Sequence, residues 1–211
     1  MTERAEAIAA AGSAARAALE ATHQAREITL PASRAAIRAC AVAIRAVQRH
    51  EFEDARAHIA DAAAQLDRAA AATADQGSVR HAGFLQDAYK EYAEANLTLA
   101  FIEGGPLPTA EDLGVDAPAY LNGMAEAASE LRRQVLDLLR AGDADRAEEL
   151  FGVMDDVYAL LVTVDYPDAV TGGLRRSTDA LRAVLERTRG DVTNATVAAR
   201  FQAAVERTQR A

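Results

Sequence analysis

The chain has 211 residues, of which 50% are hydrophobic but only 5% aromatic and none tryptophan, a composition dominated by alanine that suits closely packed helices better than sheets. Its net charge of -9 is unevenly spread, with +3 over residues 1–50, +4 over residues 174–211 and -16 between them. A single cysteine, Cys40, excludes an internal disulfide, and no apolar run reaches the roughly 18 residues of a transmembrane helix.

Glu3, Glu6 and Arg16 interrupt the stretch where a signal peptide would need an apolar core, so the expectation is a soluble, cytoplasmic chain. Thr2 to about Ile28 reads as an alanine-rich helix that ends before Leu30-Pro31, because the residue preceding proline is pushed out of the helical region. A second helix follows from about Pro31 to Arg49, with Ile37, Cys40, Ile44 and Val47 as its buried face. On the same helix Arg34, Arg38, Arg45 and Arg49 fall within an arc of about 60° away from that face. Such a row reads either as a solvated surface or as a track for phosphates, which the guanidinium fork binds bidentately. Without interleaved aromatics it would follow a backbone rather than read bases.

A third helix spans Phe52 to about Ala72, and TADQGS over 73–78 reads as a loop. One long helix is expected from about Val79 to Ile102, and Glu103-Gly104-Gly105-Pro106-Leu107-Pro108 breaks it sharply. Thr109 and Asp112 form a capping-box variant, Asp116 precedes Ala117-Pro118 as a cap, and the next helix runs to Ala141-Gly142. Asp143 caps another helix, Tyr166-Pro167 opens one that stops at Gly190, and Asp191 caps the last. No strand pattern appears. The fold class expected is all-α, a helical bundle of about seven to nine helices in one domain over 1–211, with residues 1–29 peripheral.

Two acidic pairs stand out. Glu126 and Glu130 are four residues apart on the helix after Pro118, and a four-residue step brings side chains back to within about 40° of each other. Glu91 and Glu94 sit at i and i+3 on the preceding long helix, with Asp87 one turn earlier. If these helices pack side by side, four carboxylates meet and form a site for a hard divalent cation, with no local ion pair that obviously neutralises them. Lys90 is the only lysine, which fits a high-GC genome or a salt-adapted host.

Other chemistries are not indicated. There is no GxxxxGK[ST] or GxGxxG loop and no CxxC. Glu20 and His23 form a single ExxH match, whereas a di-iron bundle needs two, and His50, His58 and His81 lack a recognisable nucleophile and read as surface or capping residues.

The stretches SRAAIRACAVAIRAVQR, EYAEANLTLAFIEGGPLP and EDLGVDAPAYLNGMAEAASELRR, followed by LLRAGDADRAEELFGVMDDVYALL, together resemble the translin/TRAX family, in particular its archaeal-type members. Tyr120-Leu121, Gly123 and Glu130-Leu131 match the family signature, and the resemblance covers about residues 30–190. It implies an all-α protein that assembles into a hollow octamer enclosing RNA or single-stranded DNA. TRAX-type subunits of that family are metal-dependent endoribonucleases, whereas translin subunits mainly bind. The TRAX catalytic carboxylates map onto Glu91 and Glu94, then onto Glu126 and Glu130, with glutamate at 126 where TRAX has aspartate.

On this resemblance the four glutamates would hold Mg2+ or Mn2+, and Arg34, Arg38, Arg45 and Arg49 would position RNA, with Arg175, Arg176 and Arg182 as further contacts. Two other readings stay open: a protein that holds RNA or single-stranded DNA without cutting it, and a helical scaffold or metal-storage bundle that binds no nucleic acid.

Overall fold

The computed structural model describes residues 2–210 and, among them, eight helices and no strand. The first, α1 (Glu3–Val47), is a 45-residue rod about 67 Å long. Residues 3–21 of it are exposed, and burial begins near Thr22, whose hydroxyl bonds Gln76 Oε1 at 2.9 Å, and at Ala25. Helix α2 (Phe52–Ala72) folds back along α1 after a turn in which His50 adopts a left-handed φ of 61°. A single turn, α3 (Gly77–Arg80), precedes α4 (Gly83–Glu103). Helix α5 (Ala117–Ala141) follows the proline-rich loop, then come α6 (Ala144–Leu161), the turn α7 (Asp168–Thr171) and α8 (Leu174–Arg210).

Helices α4 and α5 pack against each other in the middle of the bundle. On one side α1 and α2 cover α4; on the other α6 and α8 cover α5. Alanine makes this possible. Ala36, Ala43, Ala62, Ala69, Ala88 and Ala95 are each fully buried where α1, α2 and α4 meet, and a side chain of one carbon lets backbones come close. Larger side chains, Leu131, Leu150, Met154 and Leu185, fill the space between α5, α6 and α8.

Four expected boundaries move. Pro31 does not end the first helix: Ala25 and Thr29 are buried before it, Ala32, Ser33 and Ala36 after it. One face packed on both sides of the proline outweighs the missing backbone hydrogen bond, which by itself costs roughly 3 kcal/mol. Gly190 likewise lies inside α8, because Leu181, Leu185, Thr188 and Val192 form one buried row across it. Asp191 is therefore no cap, and its carboxylate pairs with Arg132 at 2.8 Å. The expected helix from Val79 is divided at His81-Ala82, with Val79 in α3, and the one expected to open at Tyr166-Pro167 is divided at Gly172-Gly173, both at left-handed φ, into α7 and α8.

Other signals hold. Gly104 and Gly142 end α4 and α5 in the left-handed region, at φ 81° and 84°. Thr109 and Asp112 exchange hydrogen bonds reciprocally, and the Asp143 carboxylate accepts from the Arg146 amide at 3.1 Å. Asp116 precedes α5 in extended conformation with Pro118 in the first turn, but its side chain makes no cap bond. No described helix is long and apolar enough to cross a membrane.

Candidate metal and nucleic-acid site

The seam between α4 and α5 is set by Gly123. A methyl group there would stand 2.6 Å from the Lys90 carbonyl oxygen, 2.9 Å from Ala93 Cβ and 3.0 Å from the Glu94 nitrogen, so the two backbones touch at the turn of α4 that carries Lys90, Glu91 and Glu94. Glu126 follows Gly123 by three residues and faces the same seam. The orientation of α5 is fixed by Asn122, whose amide donates to the Thr171 and Pro118 carbonyls while its oxygen accepts from Ser177.

Glu91, Glu94 and Glu126 converge as the spacing predicts, with one carboxylate oxygen from each lying within 4.8 Å of the others. Glu94 is only 7% exposed. Burial, reinforced by the charges of Glu91, Glu126 and Glu130, pushes its carboxyl up to about 9. Glu130 stands outside this trio. It is drawn towards the end of α1, where Gln48 Nε2 donates to it, and burial pushes its carboxyl upward against the opposing pull of Arg133 and Gln48. Gln48 Oε1 in turn accepts from Arg133 at 2.9 Å.

The cluster is not free of ion pairs, which corrects the expectation from sequence. Lys90 Nζ lies 2.7 Å from Glu126 Oε2 and 3.3 Å from Glu91 Oε1. Burial works against the ammonium charge, but the hydrogen bond to Glu126 and the two carboxylate charges hold Lys90 above the usual lysine range.

Three oxygen donors within a few ångströms, one of them buried, form a set that a hard divalent cation accepts. The ammonium of Lys90 pairs with two of the three carboxyl groups, Glu91 and Glu126, while burial and the neighbouring acidic charges favour the protonated form of the third, Glu94. Glu91, Glu94 and Glu126 could hold such a divalent ion; Glu130 lies outside that set, held by Gln48, with its charge acting on Glu94.

The arginines divide. Arg34, Arg38 and Arg45 lie exposed along α1 in no ion pair among the described residues, whereas Arg49 is held by Glu51. Gln48 at the end of α1 reaches Glu130, and the arginine row lies roughly 40–80° from Gln48 around the helix axis, on the side away from Cys40, the α1 residue on which the charges of Glu91 and Glu94 act. Arg176 lines an open cleft of about 950 Å³ together with Lys90, Glu126, Asp87 and Asp116. Arg175 faces a different depression beside Tyr166, Asp168 and Asp179, and Arg182 is exposed and lines neither. Arg132, Arg133 and Arg140 line a further groove of about 710 Å³ that contains Glu130.

Lys90, Gln48 and Arg133 are the members of this site that the sequence does not single out. For Lys90 a signal existed, a lone lysine beside a candidate ligand, but it reads equally well as composition.

No family model matches the sequence. An uncharacterized protein of Methanocaldococcus jannaschii is 34% identical over 112 residues, which is 52% of this chain, and the chain spans about half the length (50%) of that curated relative. Among solved structures, AfC3PO superposes with a TM-score of 0.80 at 32% identity, over 88% of this chain and 97% of that one. AfC3PO in complex with duplex RNA gives the same score and identity over 96% of its chain. Apo-NeC3PO, at 16% identity and a TM-score of 0.71 over 92% of this chain and 98% of its own, shows the same fold. With identity of that order to AfC3PO across nearly its whole length, together with the helical bundle described above, the chain belongs to the translin-like family.

Proposed function

We propose that this chain binds RNA and cleaves it hydrolytically at a divalent-metal centre formed by Glu91, Glu94, Glu126 and Glu130, within an oligomeric shell. The observation that carries the reading is the convergence of Glu91, Glu94 and Glu126 from two helices about 30 residues apart in sequence. The complex of AfC3PO with duplex RNA supports RNA as the ligand class; single-stranded DNA is a further candidate that rests on the family resemblance alone.

Mg2+ or Mn2+ bound there would polarise a phosphate and lower the pKa of an attacking water. The chain's own groups do the rest. Arg34, Arg38 and Arg45 present exposed cations along α1 for successive backbone phosphates, and Arg176 places one more in the cleft that Lys90 and Glu126 line. Arg175, Arg182 and Arg49 are weaker contributors, since neither of the first two lines that cleft and the third is engaged by Glu51. Gln48 and Arg133 fix the Glu130 carboxylate.

Exposed Ile8 and Leu19 on α1, with Val197 and Phe201 on α8, support assembly into an oligomer, which the family resemblance makes an octamer. The buried free thiol of Cys40 is consistent with a cytoplasmic setting, and the exposed residues 3–21 support a peripheral start within a single domain, shorter than the expected 1–29 because Ala25 and Thr29 are buried.

One observation favours a second reading, binding without cleavage. Lys90 pairs with Glu91 and Glu126, so part of the acidic charge is balanced by the chain itself. Labelled single-stranded and duplex RNAs incubated with the protein, in Mg2+ or in EDTA, separate the two. Fragments that need the metal and vanish in Glu126→Ala/Glu130→Ala are expected. Retained binding with intact RNA under every condition would establish the holder instead.

A further inference from the structure

Every basic side chain in the chain other than histidine is arginine, except one, and that one lies inside the carboxylate cluster. Lys90 Nζ is 2.7 and 2.8 Å from the two Glu126 oxygens and 3.3 Å from Glu91 Oε1. The choice of lysine has a chemical basis. A guanidinium is a planar fork that matches the edge of one carboxylate, whereas an ammonium is a compact charge with three diverging donors and can face two carboxylates at once, as a metal ion does. Glu91 and Glu126 are also two of the three residues whose oxygens lie within 4.8 Å of one another. An ammonium and a divalent ion would therefore compete for the same two carboxylates.

We propose that Lys90 is a tethered counter-cation that competes with the divalent ion for Glu126, so that loading the centre exchanges ammonium for metal and turns Lys90 out into the adjoining cleft. The inference rests on the metal-centre reading above.

The fold provides the exit. Lys90 lines the open cleft together with Asp87, which lies one turn earlier on α4 and is exposed, and with Arg176 from the start of α8. Released from Glu126, the ammonium has an acceptor in Asp87 and adds its charge to that of Arg176 on the wall of the cleft. A phosphate chain lying in the cleft would favour the released position, and by linkage metal and polyanion would each tighten the other's binding. The exchange also accounts for how close-set carboxylates are accommodated without a metal: the chain supplies its own cation.

The test measures metal affinity rather than activity. Mn2+ binding is titrated by the EPR signal of the free ion, at fixed pH and ionic strength, on full-length wild type, Lys90→Met and Lys90→Arg, each checked for helicity by circular dichroism. Lys90→Met should bind Mn2+ at least about five-fold more tightly than wild type, and Lys90→Arg should not. In parallel, wild type is reductively methylated with 13C-formaldehyde, which retains the charge. The single lysine gives one dimethylammonium resonance besides that of the α-amine, identified by its disappearance in Lys90→Arg. It should shift as Mg2+ is added. Equal Mn2+ affinity in wild type and Lys90→Met, with an unmoved resonance, overturns the exchange, as does weaker binding by Lys90→Met. Absence of Mn2+ binding in all three proteins overturns the metal centre itself, and the two failures are told apart by the wild-type titration.

Discussion

Glu94 is the residue on which the electrostatics of the site turn. Its carboxyl is buried among acidic neighbours and titrates at about 9, far above its unfolded value near 4.5, so without metal the native state holds a proton that the unfolded chain releases. Between those two pH values folding takes up a proton, and stability contributed by the protonated group, fully present below about 4.5, is lost as pH rises towards 9. Chemical denaturation in EDTA should therefore show stability falling across that window in wild type and a flatter profile in Glu94→Gln, which mimics the protonated acid. Saturating Mg2+ should flatten the wild-type profile too, because metal binding favours the ionised form. Gly123 is the geometric counterpart. A Cβ 2.6 Å from the Lys90 carbonyl meets backbone, which cannot swing aside, so Gly123→Ala must separate α4 from α5. Overpacking of this kind typically costs about 1–3 kcal/mol, and thermal unfolding should show that destabilisation together with weakened metal binding.

At the scale of elements, the helices with strong caps were legible in the sequence and those with weak breaks were not. Gly104 and Gly142 need left-handed backbone, and a glycine at the end of an apolar periodicity announces it. Pro31 and Gly190 are local signals that the buried rows on either side override, and those rows become visible only once α1 and α8 are packed. Pro31 thus sits as an exposed interruption within a helix. Pro31→Ala should restore a hydrogen bond to Glu27 and raise the melting temperature, with a gain of up to about 3 kcal/mol reduced by the greater freedom of the unfolded chain. The site divides in the same way. Acidic pairs at i, i+3 and i, i+4 could be read because helical spacing alone puts their members on one face. Lys90, Gln48 and Arg133 join through interactions between residues as much as 85 positions apart, and the separation of Arg176 from Arg175 depends on where α8 starts relative to the cleft.

For the whole molecule, the uneven charge acquires a location. The acidic centre of the sequence contributes the α4 and α5 carboxylates, while the basic first segment supplies the row on α1 and the basic last segment supplies Arg176. On the proposed reading, a polyanion held by these arginines would approach the carboxylates through the cleft that Arg176 shares with Lys90 and Glu126. Arg38→Glu/Arg45→Glu should weaken RNA affinity and make it less dependent on salt, lowering the slope of log affinity against log salt by roughly 0.7 for each phosphate that is no longer neutralised. Both residues are exposed, so thermal stability should change little, which distinguishes a weakened RNA interface from a damaged fold. Anomalous diffraction from crystals grown with Mn2+ shows whether α4 and α5 build a metal centre. A peak is expected in bonding distance, at about 2.0–2.2 Å, of oxygens from Glu91, Glu94 and Glu126. A fully ordered site in which Lys90 still bridges Glu91 and Glu126 and no anomalous peak lies between them would contradict it.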